Sequence, residues 1–413
     1  MPFSTLGLSP KIQDILKEYH YTKPTPVQEK VIPLVLAKHD LMARAQTGSG
    51  KSASFVLPIL ESLSRREVPG KAKIKVLVLT PTRELTLQVT QSFKTFSKYL
   101  LKKPKVVSVI GGEKLGDQMS AIQKGCDIVV ATSGRLLEIL KKQQINLGRV
   151  EFFVLDEADK MLDLGFAEEL DLILKELPEQ RQNLLFSATY PEKMLSIASR
   201  ITQEAIKVTI EDEAPTVESI SQRVIEVNPE NRGPLLRHLL ETNSWEQVLV
   251  FMANKRASDN IAAKFRKYGF KADSFHGDLP QEERKYTIDA YKAKKFRILF
   301  ATDIAARGLD IHDISCVVNF DLPRSPADYI HRIGRTGRAG KSGLAISFIG
   351  HEEMAHFSLI EKRSKIKLKR EQIEGFELKG ERIKKVKGPA PVKGKKKSKK
   401  DRAREKAENE AKE

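Results

Sequence analysis

A glycine-rich segment, AQTGSGKS, occupies residues 45–52 directly after an apolar run at 41–43. Glycines at a turn from strand to helix let backbone amides point at one anion, and the helix N-terminus adds the positive end of its dipole. Lys51 adds a cation for the outer phosphates of a nucleotide, and Ser52 adds a hydroxyl for Mg²⁺. The general pattern begins with glycine, but Ala45 stands there in this chain. The segment therefore predicts a phosphate site, with a tight turn that binds nothing as the alternative.

Two acids, Asp156 and Glu157, follow the apolar residues of the segment FFVLDEAD at 152–159. Ligands bind beyond the carboxyl ends of strands in α/β sheets, so these carboxylates should emerge beside the phosphate loop. Asp156 would then hold Mg²⁺, directly or through water, and Glu157 would be the general base that activates the attacking water. Acids that cap the first turn of a helix are a common alternative, which the phosphate loop weakens. The two segments together predict an ATPase.

Short runs rich in Val, Ile, Leu and Phe must position these residues, and longer stretches with helical spacing lie between them. Runs without polar alternation are typical of strands buried on both faces, so we expect an α/β fold with parallel sheets flanked by helices. The predicted strands of a first unit lie at 40–45, 75–80, 105–110, 127–132, 152–159, 183–189 and 205–210. Those of a second unit lie at 247–253, 271–277, 296–302, 315–321 and 343–350.

The chain is expected to divide into two α/β domains and a basic end. We place the first domain at 1–210, an acidic linker without periodicity at 211–219, and the second domain at 220–360. A basic C-terminal extension follows at 361–413. From about residue 379 its composition predicts disorder, because it cannot bury enough apolar surface to offset chain entropy. Residues 379–413 hold 15 Lys or Arg against 6 Asp or Glu. Their net charge is therefore +9, which is half of the whole chain's net charge of +18.

Composition excludes several classes of protein. The chain has 413 residues, 40% of them hydrophobic, and its net charge of +18 points to a polyanionic partner. Two cysteines are too few for a disulfide scaffold or a zinc site and indicate a reducing compartment. The N-terminus lacks a secretory pattern, and the apolar runs are far shorter than a bilayer span. We therefore expect a cytoplasmic protein that is neither secreted, membrane-bound nor wholly disordered.

Six motifs occur in an order and spacing that resemble the DEAD-box RNA helicases, and the overall sequence looks closest to the bacterial RhlE-like branch. The resemblance extends from about Phe3 to about Gly350. It implies two RecA-like domains that close together on ATP and RNA. The motifs are AQTGSGKS, PTREL at 81–85, DEAD at 156–159, SAT at 187–189, ATDIAARGLD at 301–310 and HRIGRTGR at 331–338.

The resemblance also implies further contacts with ATP. In YTKPTPVQ, which ends at Gln28, the glutamine would hydrogen-bond the adenine edge while Phe3 stacks on the ring; taken alone, this segment is better explained as a loop whose glutamine caps a helix. Arg335 and Arg338 correspond to the family's γ-phosphate contacts, where permanent planar cations suit the transferring phosphoryl group. His331 would lie at the domain interface. The other nucleotide residues are Ala45, Gln46, Thr47, Gly48, Ser49, Gly50, Lys51, Ser52, Gly308 and Asp310.

The family's RNA contacts map onto hydroxyls, glycine amides and arginines, which suit phosphates and 2′-hydroxyls and imply little sequence specificity. Each residue alone is better explained by ordinary helix or turn capping. The positions are Pro81, Thr82, Arg83, Gly111, Gly112, Thr132, Gly134 and Arg135 in the first domain, and Gly277, Gln281, Arg284, Thr302 and Asp303 in the second. Ser187 and Thr189 would couple the chemistry to the RNA by hydrogen-bonding near Asp159. Ser133 stands where the family usually has proline.

The resemblance implies an RNA-dependent ATPase that separates short duplexes, because closure on ATP and RNA would bend one strand and release its partner. An ATP-gated RNA clamp or scaffold with incidental unwinding is an alternative, and a DNA helicase on the same fold is a third. Ribosome assembly, RNA decay and cold adaptation are all compatible with the sequence.

Deleting residues 379–413 should raise the RNA concentration that half-stimulates ATP hydrolysis, because the basic tail adds non-specific affinity through counterion release and tethering. Maximal turnover should stay largely unchanged. Titrating RNA into a steady-state ATPase assay of the full and shortened chains checks both quantities. A fall in maximal turnover at saturating RNA would assign the tail to the catalytic core, and an unchanged half-stimulating concentration would leave it a role in solubility alone.

Overall fold

The computed structural model describes residues 2–45, 49–65, 72–210, 220–306, 314–337 and 343–380. The chain as far as Leu378 forms one compact unit that contains two seven-stranded parallel sheets flanked by helices, as the sequence predicts. The predicted linker at 211–219 and the basic tail beyond residue 380 lie outside the described residues. None of the described helices is long and apolar enough to cross a membrane.

The first sheet is built from runs that are buried at almost every position of its central strands. Its strands are β1 (Leu41–Arg44), β2 (Val76–Leu79), β3 (Val106–Val109), β4 (Ile128–Ala131), β5 (Phe152–Leu155), β6 (Gln182–Ser187) and β7 (Ile206–Thr209). Their order across the sheet is β3-β4-β2-β5-β6-β1-β7. The predicted strands of the first unit are all present.

The second sheet repeats the first strand for strand. Its members are β8 (Ile220–Glu226), β9 (Val248–Met252), β10 (Ala272–Phe275), β11 (Ile298–Thr302), β12 (Cys316–Asn319), β13 (Gly343–Ile349) and β14 (Arg370–Glu371). The order β10-β11-β9-β12-β13-β8-β14 matches that of the first sheet when each sheet is numbered along the chain. Both sheets therefore present equivalent loops at the carboxyl ends of equivalent strands.

Helices cover both faces of each sheet. Those that accompany the first sheet are α1 (Pro10–Glu18), α2 (Pro26–Leu36), α3 (Lys51–Ser64), α4 (Arg83–Phe96), α5 (Leu115–Gln123), α6 (Ser133–Lys141), α7 (Ala158–Asp163), α8 (Ala167–Leu174) and α9 (Glu192–Ile201). Those that accompany the second are α10 (Arg232–Thr242), α11 (Lys255–Lys267), α12 (Gln281–Lys292), α13 (Asp303–Ala306), α14 (Pro326–Ile333) and α15 (Met354–Ser364).

Two strands of the second sheet were not predicted. Only three of the seven positions of β8 are buried, so it lacks the continuous apolar run of its neighbours. The edge strand β14 has two residues, of which Glu371 forms an ion pair with Arg223 of β8 at 2.6 Å. Helix α15 runs across residue 360, where the sequence places the end of the second domain. The packed chain thus continues to Leu378, with Phe376 against the core of the second sheet.

Alternate residues of β6 show how the sheet separates two cores. Phe186 is fully buried on one face and packs on Phe55 of α3 with ring centroids 5.1 Å apart. Its neighbour Leu185 belongs to the opposite cluster, together with Phe153 of β5 and Met161 of α7. Because side chains alternate along a strand, one short apolar run supports the phosphate-loop helix on one face and the helix after the acids on the other.

Asp40, just before β1, holds the start of three strands in register. Its Oδ1 accepts from the backbone N–H of Asn183 at 2.7 Å, and its Oδ2 accepts from Asn183 Nδ2 and from the N–H of Gln203, each at 2.9 Å. The backbone oxygen of Asp40 accepts from the N–H of Ile206 at 2.9 Å. Asp40 therefore connects the beginning of β1 with β6 and with the segment before β7. Strand β1 leads in turn to the phosphate loop.

Replacing Asp40 with Ala should lower the free energy of unfolding by about 2 kcal/mol, because two N–H groups and one amide lose a charged acceptor. Urea unfolding followed by circular dichroism measures the change. Asp14→Ala is the matched control, since Asp14 pairs on the exposed surface of α1 with Lys17 at 3.5 Å. Equal midpoints for the two variants would contradict the role assigned to Asp40.

Candidate functional site

The turn from β1 to α3 places the glycine-rich segment at the carboxyl end of the first sheet. Gly50 caps α3 with a φ of +91°, and a Cβ there would lie 2.5 Å from Gln28 Nε2 and 2.9 Å from Thr25 Oγ1. Only glycine tolerates both the dihedral and the approach. Lys51 is buried and donates from Nζ to the oxygen of Ala45 at 2.9 Å. Three other members of the predicted set, Gln46, Thr47 and Gly48, lie outside the described residues.

Gln28 caps a helix and also holds the phosphate loop. Its Oε1 accepts from the backbone N–H of Thr25 in a capping box at the start of α2, and its Nε2 donates to the oxygen of Gly50 at 3.2 Å. The capping interpretation of this segment is therefore right, without excluding the other, since the amide keeps a second donor and a second lone pair. Phe3 lies in a 3₁₀ turn, 6% exposed, in the same hydrophobic cluster as Val27.

The two predicted catalytic acids emerge at the end of β5, buried beside the phosphate-loop helix. Asp156 donates its N–H to the oxygen of Leu79 at 3.0 Å, and its Oδ1 accepts from the N–H of Glu157 at 2.9 Å. Burial raises the pKa of Asp156 to about 6, against the opposing charge of Lys51. Burial also acts to raise the pKa of Glu157, but Lys160 and Lys51 outweigh it and hold that pKa at about 2. Both carboxylates are thus mainly ionised at neutral pH.

Glu157 has an unusual backbone and a close cationic partner. Its φ of 50° and ψ of 47° are left-handed, and it is the N-cap of α7. One turn later, Lys160 Nζ lies 2.9 Å from Glu157 Oε1, with the two side chains 3% and 4% exposed. Burial lowers the pKa of Lys160, and the charge of Glu157 opposes that change. Sequence reasoning missed Lys160, although it directly follows the DEAD segment.

The residues predicted to couple the two activities are brought together. Asp159 Oδ2 accepts from both the N–H and the Oγ1 of Thr189, each at 2.9 Å. Ser187 Oγ accepts from the N–H of Asp159 at 3.3 Å and donates to the oxygen of Thr189. These bonds tie the first turn of α7 to the end of β6.

Helix α14 of the second sheet brings two predicted residues to these acids. Arg335, 3% exposed, follows the helix, and its charge contributes to the low pKa of Glu157. Burial and the charge of Lys160 lower the pKa of His331 to about 4, so its ring is neutral at pH 7. The predicted residues Gly308, Asp310 and Arg338 lie outside the described part of the chain.

Arg332, within the same motif, is a structural residue that sequence reasoning missed. Its guanidinium forms a two-pronged ion pair with Asp303 of α13, both contacts at 2.6 Å, and donates to Asn319 Oδ1 at 3.0 Å. The carboxylate of Asp303, predicted to contact RNA, is therefore engaged inside the protein.

Most predicted RNA residues of the first sheet lie in loops that follow the adjacent strands β2, β3 and β4. Thr82 caps α4, and the guanidinium of Arg83 packs over Gly111 and Gly112. A Cβ at Gly112, where φ is +86°, would lie 2.6 Å from Arg83 Nη1. Arg135 donates to the oxygen of Glu113 at 3.0 Å. Thr132 and Gly134 begin α6, and Pro81 lies beside Thr82. The predicted RNA residues of the first sheet therefore lie together along the edge formed by the carboxyl ends of its strands.

The second sheet adds its own predicted RNA residues next to that edge. Arg284 of α12 donates from Nε to Glu84 Oε1 of α4 at 2.6 Å and from Nη1 to the oxygen of His276 at 2.7 Å. Arg284 is buried and Glu84 is nearly so, with side chains 5% and 10% exposed. Gln281 begins α12, Thr302 ends β11, and a Cβ on Gly277 would meet no described atom within 4 Å. Glu84, inside the PTREL motif, was not predicted.

Three arginines from the two sheets collect at this place. Burial and then the charge of Arg284 lower the pKa of Arg83, Arg135 acts in the same direction, and the carboxylates of Glu84 and Glu113 oppose the change. Like charges held this close repel one another, and a bound polyanion relieves that repulsion. The surface is therefore suited to a phosphate backbone.

The residues beside the phosphate loop fit a magnesium ion. Asp156 offers a buried carboxylate, and Ser52 offers a hydroxyl in the first turn of α3. Mg²⁺ in nucleotide sites takes one or two such oxygens together with phosphate oxygens and water. Within the described ranges no group of three or more His, Cys, Asp or Glu forms a dedicated metal cage.

Comparisons with known proteins agree with this geometry. The family model for DEAD/DEAH box helicases matches residues 25–197, and that for the helicase conserved C-terminal domain matches residues 232–340. The DEAD-box ATP-dependent RNA helicase CshA of Geobacillus kaustophilus is 38% identical over 368 residues, 89% of this chain and 78% of the relative. The ATP-dependent RNA helicase DeaD of Mycobacterium tuberculosis is 38% identical over 375 residues, 91% of this chain and 65% of the relative.

Solved structures are similar over most of the chain. Saccharomyces cerevisiae Dbp5 bound to RNA and ADP BeF3 matches with a TM-score of 0.79 and 30% identity, over 90% of this chain and 95% of that chain. Mss116p bound to ssRNA and AMP-PNP matches with a TM-score of 0.81 and 29% identity, over 91% and 80%. The two predicted RecA-like domains are thereby confirmed, whereas the RhlE-like branch stays a prediction. The chain belongs to the DEAD-box family of ATP-dependent RNA helicases.

Proposed function

We propose that this protein is an RNA-stimulated ATPase that opens short RNA duplexes by bending one strand between its two RecA-like domains. The observation that carries the proposal is the buried ion pair between Glu84 and Arg284, which joins the predicted RNA residues of one sheet to those of the other. RNA bound along this edge would contact both sheets at once. The charge of Arg335, from the domain of the second sheet, also acts on Glu157, so the same closure would complete both sites.

ATP would bind with its phosphates in the loop before α3, where Lys51 neutralises the outer phosphates. Asp156 and Ser52 would hold Mg²⁺, which offsets the charge of the phosphates when bound. Glu157 would orient the attacking water and accept its proton, while Arg335 and Arg338 stabilise the charge that develops on the transferring group. Gln28 and Phe3 would select adenine. The RNA side consists of hydroxyls, amides and arginines, which supports recognition of backbone rather than sequence.

Hydrolysis and phosphate release would reopen the cleft and free the RNA. The hydrogen bonds between Asp159, Ser187 and Thr189 support this coupling, because they connect the segment after the catalytic base to the end of a neighbouring strand. The duplexes opened would be about one helical turn long, since the protein distorts a strand locally instead of moving along it. Ribosomal or RNA-decay complexes are candidate substrates of such remodelling.

The proposal also places the end of the first RecA-like domain near residue 210 and the start of the second near residue 220. The proposed location of the protein is the cytoplasm. Cys126 and Cys316 support the location, because both are buried free thiols, as is usual in a reducing compartment. An RNA clamp in which ATP controls dwell time remains the second candidate. It is favoured by the same buried ion pair, which would hold closed domains on RNA without requiring duplex opening.

ATP hydrolysis with Mg²⁺ should be strongly stimulated by single-stranded RNA and much less by DNA of the same sequence, because 2′-hydroxyl contacts distinguish the two. Glu157→Gln should abolish turnover while ATP still binds. Steady-state phosphate release with no nucleic acid, RNA or DNA measures this. Equal rates under all three conditions would contradict the helicase function and indicate a general nucleotide switch. The Glu157→Gln variant separates the two candidate functions, because only a clamp would keep its biological role without hydrolysis.

The ion pair between the sheets can be tested by a double-mutant cycle. Glu84→Ala and Arg284→Ala should each weaken RNA stimulation, and their effects should couple by about 0.5–3 kcal/mol because either change breaks the same contact. The RNA concentration for half-stimulation supplies the free energies. Glu241→Ala, which removes an exposed pair with Arg237 of α10, is the control and should change nothing. Strictly additive effects would show that the two residues act separately.

A further inference from the structure

The first turn of α7 contains a buried lysine that neither the motifs nor the proposed chemistry accounts for. Lys160 follows Asp159 and reaches back one turn to the carboxylate of Glu157, at 2.9 Å. Its backbone N–H also donates to the oxygen of Glu157 at 3.0 Å. Two contacts, one through the backbone and one through the ammonium, therefore connect the two residues.

This lysine is unfavourable for the local structure that carries it. Burying an ion pair costs desolvation that its attraction often fails to recover. The exposed pair between Lys17 and Asp14 has the same i, i+3 spacing, but its side chains are 77% and 63% exposed, whereas Lys160 is 3% exposed. Stability of α7 therefore does not explain Lys160.

The other cation of the phosphate site is directed elsewhere. Lys51 Nζ donates to the oxygen of Ala45, so its described hydrogen bond is within the phosphate loop. Lys160 is thus the lysine that contacts Glu157 directly. The backbone of Glu157 adds to the constraint, because its left-handed φ of 50° is rarely adopted by residues other than glycine and fixes the direction in which the side chain leaves the backbone.

We propose that Lys160 is a positioning residue for Glu157. Through the 2.9 Å ion pair, Lys160 holds the Glu157 carboxylate in the orientation from which that carboxylate accepts a proton from the attacking water. The inference rests on the proposed ATPase function, in which Glu157 is the general base. A carboxylate tied at one oxygen has one orientation instead of several, and misplacement of a catalytic group by about 1 Å can cost roughly a hundredfold in rate. Lys160 itself touches neither ATP nor RNA in this role.

Lys160 lies at the boundary between the two sheets, which indicates when in the ATPase cycle it would act. The charges of Arg335 and Lys51 act on Lys160, as does that of Glu157, and Lys160 in turn acts on His331. The pair therefore lies where the second sheet covers the catalytic acids. Glu157 would be oriented by its own helix before the arginines of the second sheet complete the site.

The test compares Lys160→Met, which keeps the length but removes the charge, with Lys160→Arg, which keeps the charge. In Lys160→Met, kcat at saturating RNA should fall at least tenfold, while the KM for ATP and the half-stimulating RNA concentration stay within about threefold of the original chain. Lys160→Arg should recover most of the lost kcat. Lys17→Met, on the exposed pair of α1, is the matched control and should leave all three quantities unchanged.

Other results would overturn the inference. A kcat within twofold of the original in Lys160→Met would show that Glu157 needs no such partner. A rise in ATP hydrolysis without RNA in the same variant would show that the ion pair inhibits Glu157 instead of positioning it. A loss of ATP affinity equal to the loss of kcat, in both Met and Arg variants and with a lowered melting temperature, would make Lys160 merely structural. Turnover that persists in Glu157→Gln would instead refute the proposed function itself, so the two failures are distinguishable.

Discussion

Three carboxylates are buried just beyond the end of β5, and the cost of that burial constrains much of the surrounding structure. Asp156, Glu157 and Asp159 are 2%, 3% and 6% exposed, although an ionised carboxylate taken from water without partners costs many kcal/mol. Each one has its own compensating partner. The phosphate-loop lysine acts on Asp156, Lys160 pairs with Glu157, and Thr189 donates twice to Asp159. The segments that supply these partners are the ones that the proposed reaction requires.

The repeated sheet topology explains why the two proposed sites, for ATP and for RNA, lie at the carboxyl ends of equivalent strands. Ligands of parallel α/β sheets bind beyond the carboxyl ends of the strands, and both sheets have the same strand order. The loops after β2, β3 and β4 supply arginines and glycines, and those after β10 and β11 supply their counterparts. Arg284 shows the result, because it belongs to the second sheet and forms its buried ion pair with α4 of the first.

Two glycines show how close packing limits these loops. At Gly50 the approaching group is the amide of Gln28, and at Gly112 it is the guanidinium of Arg83. In each case a side chain from elsewhere in the chain, predicted to bind ATP or RNA, fills the space that a Cβ would need. Both glycines also have positive φ, so a substitution would strain the backbone and displace the side chain that packs there.

Local pattern was sufficient for most of the fold, because runs of β-branched and aromatic residues indicate buried parallel strands and motif spacing places the acids at strand ends. It could not predict β14, which has two residues and depends on the ion pair of Glu371 with Arg223. The same holds for the site. Residue types and order pointed to the phosphate loop and the catalytic acids, whose chemistry is carried by short contiguous segments.

The contacts of Glu84 with Arg284 and of Arg332 with Asp303 join residues far apart in the chain. Lys160 is close to Glu157 in sequence, yet their pair is buried only in the folded chain, where α7 packs against β6 and α9. The sequence by itself determined which chemical groups this protein carries. The tertiary structure alone decided which of them are paired, because burial and distance between remote segments arise only when the sheets and helices pack together.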